Sequence, residues 1–322
     1  MERLLAWIAI RLPTADFAGW AKLLTVAVVF WHPAVDVSAQ QSGQAEKPKG
    51  APSGGHKPSL LPKVLPQRDP RRPDVSYDNR EPVKGNLALT PPFSAVCQIL
   101  TSYGSGRADT LGTGFLIDAG IVVTAAHVLS NPRFGPGQRF TVTPGCGASR
   151  TGIVDLSLAQ VADRSRVRIH ESWGAPDHRA DVDYGVIMLP DRDRFRSCGR
   201  FFLQAVDDKV LSDHVAKATG QFLVAGFPDD KPFGSFWFAK GSVLSFERGY
   251  IRHLIPTLDG QSGGPLGGMG IDKSTGKQIP VAFGVHSRGG AQSLYNVAAR
   301  VDAEFLARIE TWKREFAILD SR

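Results

Sequence analysis

Gly112-Thr-Gly-Phe-Leu-Ile117, then after Asp118-Ala-Gly120 the run Ile121-Val-Val-Thr124-Ala-Ala-His127-Val128, is the stretch that decides the fold. Short β-branched and aromatic runs on either side of an Asp/Gly break read as strands at 114–117 and 121–124 rather than as one helix. The same pattern recurs at 95–100, 140–143, 185–189, 222–225, 235–238, 241–246 and 281–285, with Gly, Pro, Asn and Asp between the runs. Many short strands punctuated by turn residues predict an all-β fold of the sandwich or barrel type. The 34 Gly and 22 Pro among 322 residues fit tight turns better than a helical bundle. No solenoid-length repeat stands out.

The two ends read differently. Val301, Phe305, Leu306, Ile309, Trp312 and Phe316 recur at helical spacing between charged residues, so the tail 299–322 is expected to hold an amphipathic helix packed on the barrels. Residues 40–90 are rich in Pro, Gly, Ser, Gln and Lys and read as a disordered linker or propeptide. Ahead of them, Arg3, Arg11 and Lys22 precede the apolar run 23–31, and Val37-Ser-Ala39 offers small residues for a signal peptidase. A signal peptide over 1–39 is expected, and with it a secreted or periplasmic protein. The apolar run is shorter than the roughly 18 to 20 residues of a membrane span. No stable membrane insertion is expected after removal of the signal, a retained anchor being the alternative.

Charge and cysteine usage narrow the classes. Net charge is +7, but no Lys/Arg run with interleaved aromatics appears in the globular part, which speaks against a nucleic-acid partner. Export permits a disulfide, and Cys97, Cys146 and Cys198 leave one thiol over. Cys146 and Cys198 lie in Gly-flanked loops and are the expected pair. Cys97 sits in an apolar run, where a buried thiol is common. The spacing supports no zinc motif, and neither a metal nor a cofactor is expected.

Chemistry concentrates in three segments: the one ending in His127, Asp181-Val-Asp183-Tyr-Gly-Val-Ile-Met-Leu189, and Thr257-Leu-Asp-Gly-Gln-Ser262-Gly-Gly-Pro-Leu266. A serine hydroxyl is a poor nucleophile near neutral pH. It needs a base within hydrogen-bond reach, and the base needs an acceptor that fixes its tautomer. The segments supply these groups in the order His, Asp, Ser. Asp181, two residues from Asp183, would share its strand face and is the alternative acid. Gly260-Gln-Ser-Gly-Gly264 also fits the G-x-S-x-G pattern, with Asp272 and His286 as conceivable partners. That arrangement requires a helix straight after the serine, and Gly263-Gly-Pro265 starts a helix poorly.

Together these motifs resemble the trypsin-like (chymotrypsin-fold) serine peptidases over residues 91–310. The resemblance implies two antiparallel β-barrels, about 91–195 and 196–298, followed by the C-terminal helix. It implies a triad of His127 as base, Asp183 as its orienter and Ser262 as nucleophile, with the N–H groups of Gly260 and Ser262 as the oxyanion hole. Gln261 stands where animal zymogens carry Asp, and Val128 where a Cys usually follows the histidine, so the likeness is to the bacterial branch. Within it the pattern is similar to the glutamyl endopeptidases of the V8-like group. Thr257 and His286 would then meet a substrate carboxylate, and Ser287 to Gly289 would pair with the substrate backbone. Arg288 would add positive potential nearby. Val64-Leu-Pro-Gln-Arg-Asp69 resembles the mature start of that group, implying a cut after Lys63; a plain linker is the other reading. The expected protein is therefore a monomeric, secreted serine endopeptidase of polypeptides that prefers Glu or Asp before the cut. A catalytically silent trypsin-like binding module, or a serine peptidase of other specificity, is the alternative.

Overall fold

The computed structural model describes residues 78–104, 107, 109–149, 151–174, 179–205, 222–272, 274–289 and 295–321. The expected signal peptide and the cut after Lys63 lie outside these residues.

Seven strands build the first lobe: β1 Val96–Ser102, β2 Thr110–Asp118, β3 Ile121–Thr124, β4 Arg139–Pro144, β5 Gln160–Asp163, β6 Val167–Ile169 and β7 Gly185–Met188. They form an antiparallel, barrel-like sheet in the order β5-β4-β1-β2-β3-β7-β6. Ile99, Phe115, Leu116, Val122, Phe140 and Ile187 fill it, all buried. The second lobe holds β8 Phe222–Gly226, β9 Trp237–Gly241, β10 Val243–Phe246, β11 Tyr250–His253, β12 Pro265–Ile271, β13 Gln278–Gly289 and β14 Asn296–Arg300. Its path runs β9-β8-β12-β13-β14-β11-β10, and Phe202–Leu203 pairs in parallel with β13. A separate apolar cluster, including Phe222, Val224, Ile251, Leu266 and Phe283, fills this lobe. The all-β, two-barrel expectation holds. Cys146 and Cys198 are joined, and Cys97 is a buried free thiol that burial pushes well above the usual thiol range.

A short helix α1, Ala126–Leu129, follows β3, and helix α2, Ala303–Asp320, closes the chain. Asp302 caps α2 by accepting from the Phe305 N–H at 2.9 Å. Its apolar stripe, Phe305, Ile309, Trp312 and Phe316, is buried as the periodicity requires. Tyr184 is the anchor: its ring lies 4.2 Å from that of Phe305 and 6.0 Å from that of Trp312. Arg168–Glu315 at 2.6 Å and Lys313–Asp118 at 3.4 Å tie the polar face to the first lobe. The helix thus braces the residue that follows Asp183.

The structure differs from the linker reading near its end. From Asp78 the chain is folded onto the second lobe: Glu81–Pro82 pairs with Phe238 and Trp237 at the edge of β9, and the Val83 N–H donates to Phe236 O at 2.8 Å. Arg80, Val83 and Ala88 are buried. Composition hid this segment because its order comes from backbone pairing and one buried charge cluster, with few apolar side chains to betray it.

Candidate active site

Strand β3 ends at Thr124, and Ala125 carries the chain in extended form into α1, which presents His127 at the junction of the lobes. Asp183 stands at the end of the tight turn Ala180–Val182, just ahead of β7, and is fully buried. Both its oxygens are occupied. Oδ1 accepts the His127 backbone N–H at 2.9 Å, and Oδ2 faces His127 Nδ1 at 2.8 Å. The Ser287 hydroxyl donates to the same Oδ2. Burial alone would raise the Asp183 pKa, but the facing imidazole and these hydrogen bonds outweigh it and hold the carboxyl below its ordinary 3.8. A carboxylate opposite Nδ1 places the proton on that nitrogen and leaves Nε2 as the acceptor. The imidazole is 24% exposed, so a substrate can reach it. Its other neighbour is the Trp173 ring, 6.4 Å away and tethered through Nε1 to Ser130 O at 2.9 Å. Asp181 turns aside to Arg179 at 3.2 Å, so geometry selects Asp183.

The loop that carries Ser262 is two turns in succession. Gln261 N donates to Leu258 O at 3.1 Å and Gly264 N to Gln261 O at 3.0 Å. The third residue of each turn, Gly260 at φ +89° and Gly263 at φ +87°, occupies the left-handed region that favours glycine. That is why the motif reads Gly-Gln-Ser-Gly-Gly. Ser262 is half-buried at the apex of the second turn. Thr113 of β2 fastens the loop to the first lobe. Its N–H donates to Ser262 O at 2.8 Å, its hydroxyl to Gly260 O at 2.7 Å, and its carbonyl accepts from Thr124 Oγ1 at 2.6 Å. Gly263 in turn packs against Thr113 O, Thr124 Oγ1 and Ala125 N, two residues from His127. The loop is thereby pressed against the segment that carries the histidine. Among the described residues no backbone carbonyl accepts from the N–H of Gly260 or of Ser262. A Cβ at position 263 would strike backbone as well as a side chain, in a conformation strained for any L residue. Gly263→Ala is therefore expected to lower the melting temperature and activity together, by about 3 kcal/mol or more of stability. Thermal unfolding of the purified variant checks this.

The remaining sequence-predicted residues fall as follows. His286 is buried in β13, with its Nδ1 3.2 Å from Nε2 of the equally buried His253 in β11. Strand β14 separates the two in the sheet, with His253 opposite Asn296 and His286 opposite Ala298. Sequence reasoning missed His253. The alternation of Ile251 and His253 on the inner face of a strand was the available signal, in a run too short to stand out. Thr257 is buried on the connection from β11 to the first turn. The Ser287 side chain serves Asp183 and is buried at a bulge between His286 and Arg288. Gly289 ends β13 half-buried, and Arg288 points to solvent. Asp272 caps the β12–β13 hairpin, accepting from Ser274 N at 2.9 Å and Thr275 Oγ1 at 2.9 Å. Ser262 leads into strand β12 and not a helix, so the G-x-S-x-G alternative falls.

Residues 112–267, a span holding His127, Asp183 and Ser262, match the family described as trypsin-like peptidase domain. Over those residues the chain is similar to that family. The peptidase domain is also similar to an extracellular metalloprotease of Bacillus subtilis (strain 168), 27% identical over 75% of this chain and 70% of the relative. Among solved structures it resembles a Glu endopeptidase in complex with MPD, with TM-score 0.56 and 20% identity over 74% of this chain and 97% of the other. An HL collagenase matches at TM-score 0.52 and 16% identity, over 72% of this chain and 96% of that one. At these identities the structures establish the shared fold alone.

The name of the Bacillus relative raises a metal centre. Among the described residues the side chains do not fit one: no group of three or more His, Cys, Asp or Glu could hold an ion. Both Asp183 oxygens and His127 Nδ1 are already engaged with one another and with Ser287. Among the described residues no helix is long and apolar enough to cross a membrane.

Proposed function

We propose that the chain is an exported serine endopeptidase that cleaves polypeptides through Ser262, His127 and Asp183. The observation that carries this reading is the closed cage of donors around Asp183, which fixes the His127 ring with Nε2 free, on the same strand pair that holds the serine loop. Ser262 Oγ attacks the scissile carbonyl while His127 Nε2 takes its proton, giving a tetrahedral oxyanion beside the N–H groups of Gly260 and Ser262. Collapse expels the amine, which receives the proton from Nε2, and leaves an acyl-enzyme on Ser262. Water, deprotonated by the same nitrogen, releases the acid and regenerates the serine. Asp183 stays ionised throughout and stabilises the imidazolium. Each oxyanion donor is worth about 3 kcal/mol in systems of this kind. Export is supported by the apolar leader and by the relative named extracellular.

The specificity proposed is for Glu or Asp before the cut. Thr257 and His286 supply a hydroxyl and an imidazole able to donate to a carboxylate, and a carboxylate leaving water requires such partners. His253 behind His286 strengthens the reading, because a second imidazole can share the proton that a bound anion draws onto the first. The Glu endopeptidase among the fold neighbours agrees with it.

A digest of an unstructured test protein, read by mass spectrometry, is expected to show cuts chiefly after Glu and Asp. Cuts chiefly after Lys, Leu or Phe would remove the specificity and leave the peptidase. Covalent labelling of Ser262 by a fluorophosphonate separates the enzyme from a silent binding module, for which no label is incorporated.

A further inference from the structure

Arg80 lies ahead of the first lobe, in a stretch whose composition suggested no structure, yet its side chain is 2% exposed. All five of its N–H groups have acceptors. Nε and Nη2 meet the two oxygens of Asp78, each at 2.8 Å, and Nη1 and Nη2 meet the two oxygens of Asp230 at 2.8 and 2.6 Å. The last Nη1 hydrogen points to Gln261 Oε1 at 3.5 Å. Lys231 adds a second cation, 3.3 Å from Asp78 and over the Trp237 ring. A planar fork holding two carboxylates side-on is a rigid joint, and lysine could not replace it.

The joint touches the nucleophile loop at two places. Gln261, fully buried, uses the same Oε1 to accept the Leu258 N–H at 3.0 Å, which closes the turn that contains Gly260. Asp230 follows Asp229, whose N–H donates to Asp259 O at 2.9 Å in that same turn. Phe227 O and Asp229 N also wall off the α-carbon of Gly260. The orientation of the Gly260 peptide is therefore set from one side by Gln261 and from the other by the 227–230 loop, and Arg80 grips both.

We propose that Arg80 is a positioning residue for the oxyanion turn, so that the segment from Asp78 to Val83 is a working part of the active site rather than spacer. The inference rests on the serine-peptidase reading above. Two consequences follow. Loss of the guanidinium weakens stabilisation of the transition state more than ground-state binding, because the turn makes its contact with developing negative charge. Any processing cut that leaves an active enzyme falls before Asp78.

The test compares wild type, Arg80→Met and Arg80→Lys in the full chain. Steady-state kcat and KM on one peptide substrate are read alongside affinity for a peptide aldehyde, which forms a tetrahedral adduct, and for its cleaved-product peptide. Variants that melt cooperatively are expected to lose about ten- to a hundredfold in kcat, below the two to three decades of a deleted oxyanion donor. Aldehyde affinity should fall in parallel, with KM and product affinity within about twofold, and Arg80→Lys should recover stability more than kcat. Folded variants with unchanged kcat, or with the whole loss in KM, overturn the proposal. Removing one partner of a buried ion cluster can unfold a protein. If Arg80→Met does not fold, Asp230→Asn, which keeps shape and guanidinium, carries the same expectation at reduced size and the same refutation. N-terminal sequencing of the active enzyme gives an independent reading: full activity in a chain starting after Arg80 refutes it. Wild type that neither hydrolyses peptides nor takes the fluorophosphonate label removes the serine-peptidase reading itself. Normal wild-type activity with indifferent Arg80 variants removes this inference alone.

Discussion

Ser262→Ala is expected to lower kcat by about a millionfold while leaving the melting temperature unchanged, the scale seen when a triad nucleophile is removed. The separation follows from which atoms of Ser262 do which work. Its place in the fold is held by the backbone: the carbonyl accepts from Thr113 N at 2.8 Å, and the turn around it closes between Gln261 and Gly264. Its side chain is half-buried at the apex of that turn, and no described packing depends on it. On the proposed mechanism, removing the hydroxyl therefore deletes the attacking atom and almost nothing else. Residual hydrolysis from the oxyanion donors and from substrate binding should persist at about a thousandfold or more above water. Measurement of kcat on a peptide amide, with a melting curve of the same sample, gives both halves. Peptidase activity retained within tenfold would sink the assignment of Ser262. Gly263→Ala, which should disturb fold and activity together, shows what a structural lesion one residue away looks like.

The strands at 121–124 and 222–225 were legible because each is an uninterrupted apolar run buried on both faces or bounded by turn residues. Strands β11, β12 and β14 were not. Pro265–Ile271 contains three glycines, and its pairing with β13 comes from the backbone, so the sequence carries no alternation to read there. The motifs around His127, Asp183 and Ser262 were legible since chemistry constrains residue type locally. Contacts between distant segments were not. Ser287 reaches Asp183 across 104 positions, and Arg80 reaches Gln261 across 181. Nothing in local spacing encodes such a pair. Polar side chains buried by charge pairing or by hydrogen bonding to one another leave no hydrophobic period, which is why Arg80 and His253 both escaped.

Asp183→Asn is the second large effect, and its direction comes from counting donors. In the native site the two carboxylate oxygens receive three: the His127 backbone N–H, the His127 ring at Nδ1 and the Ser287 hydroxyl. An amide has one accepting oxygen and one donating NH2, so it cannot satisfy all of them. With the oxygen toward the His127 backbone, the NH2 faces Nδ1, which must then be unprotonated, and the ring proton moves to Nε2. That tautomer cannot take the proton of Ser262. On the proposed mechanism kcat falls about ten-thousandfold at neutral pH with KM little changed. Imidazole 15N resonances would report the proton on Nε2 in the variant and on Nδ1 in wild type; kcat within tenfold of wild type would refute the role given to Asp183. Acid behaviour should change too. Because the folded-state pKa of Asp183 lies below its ordinary 3.8, its ionised form stabilises the native state above that pH. The contribution disappears as pH falls through the depressed value. The amide has no proton to gain, so this step should vanish from its stability–pH curve, leaving a uniformly less stable protein whose acid midpoint depends on the other carboxylates.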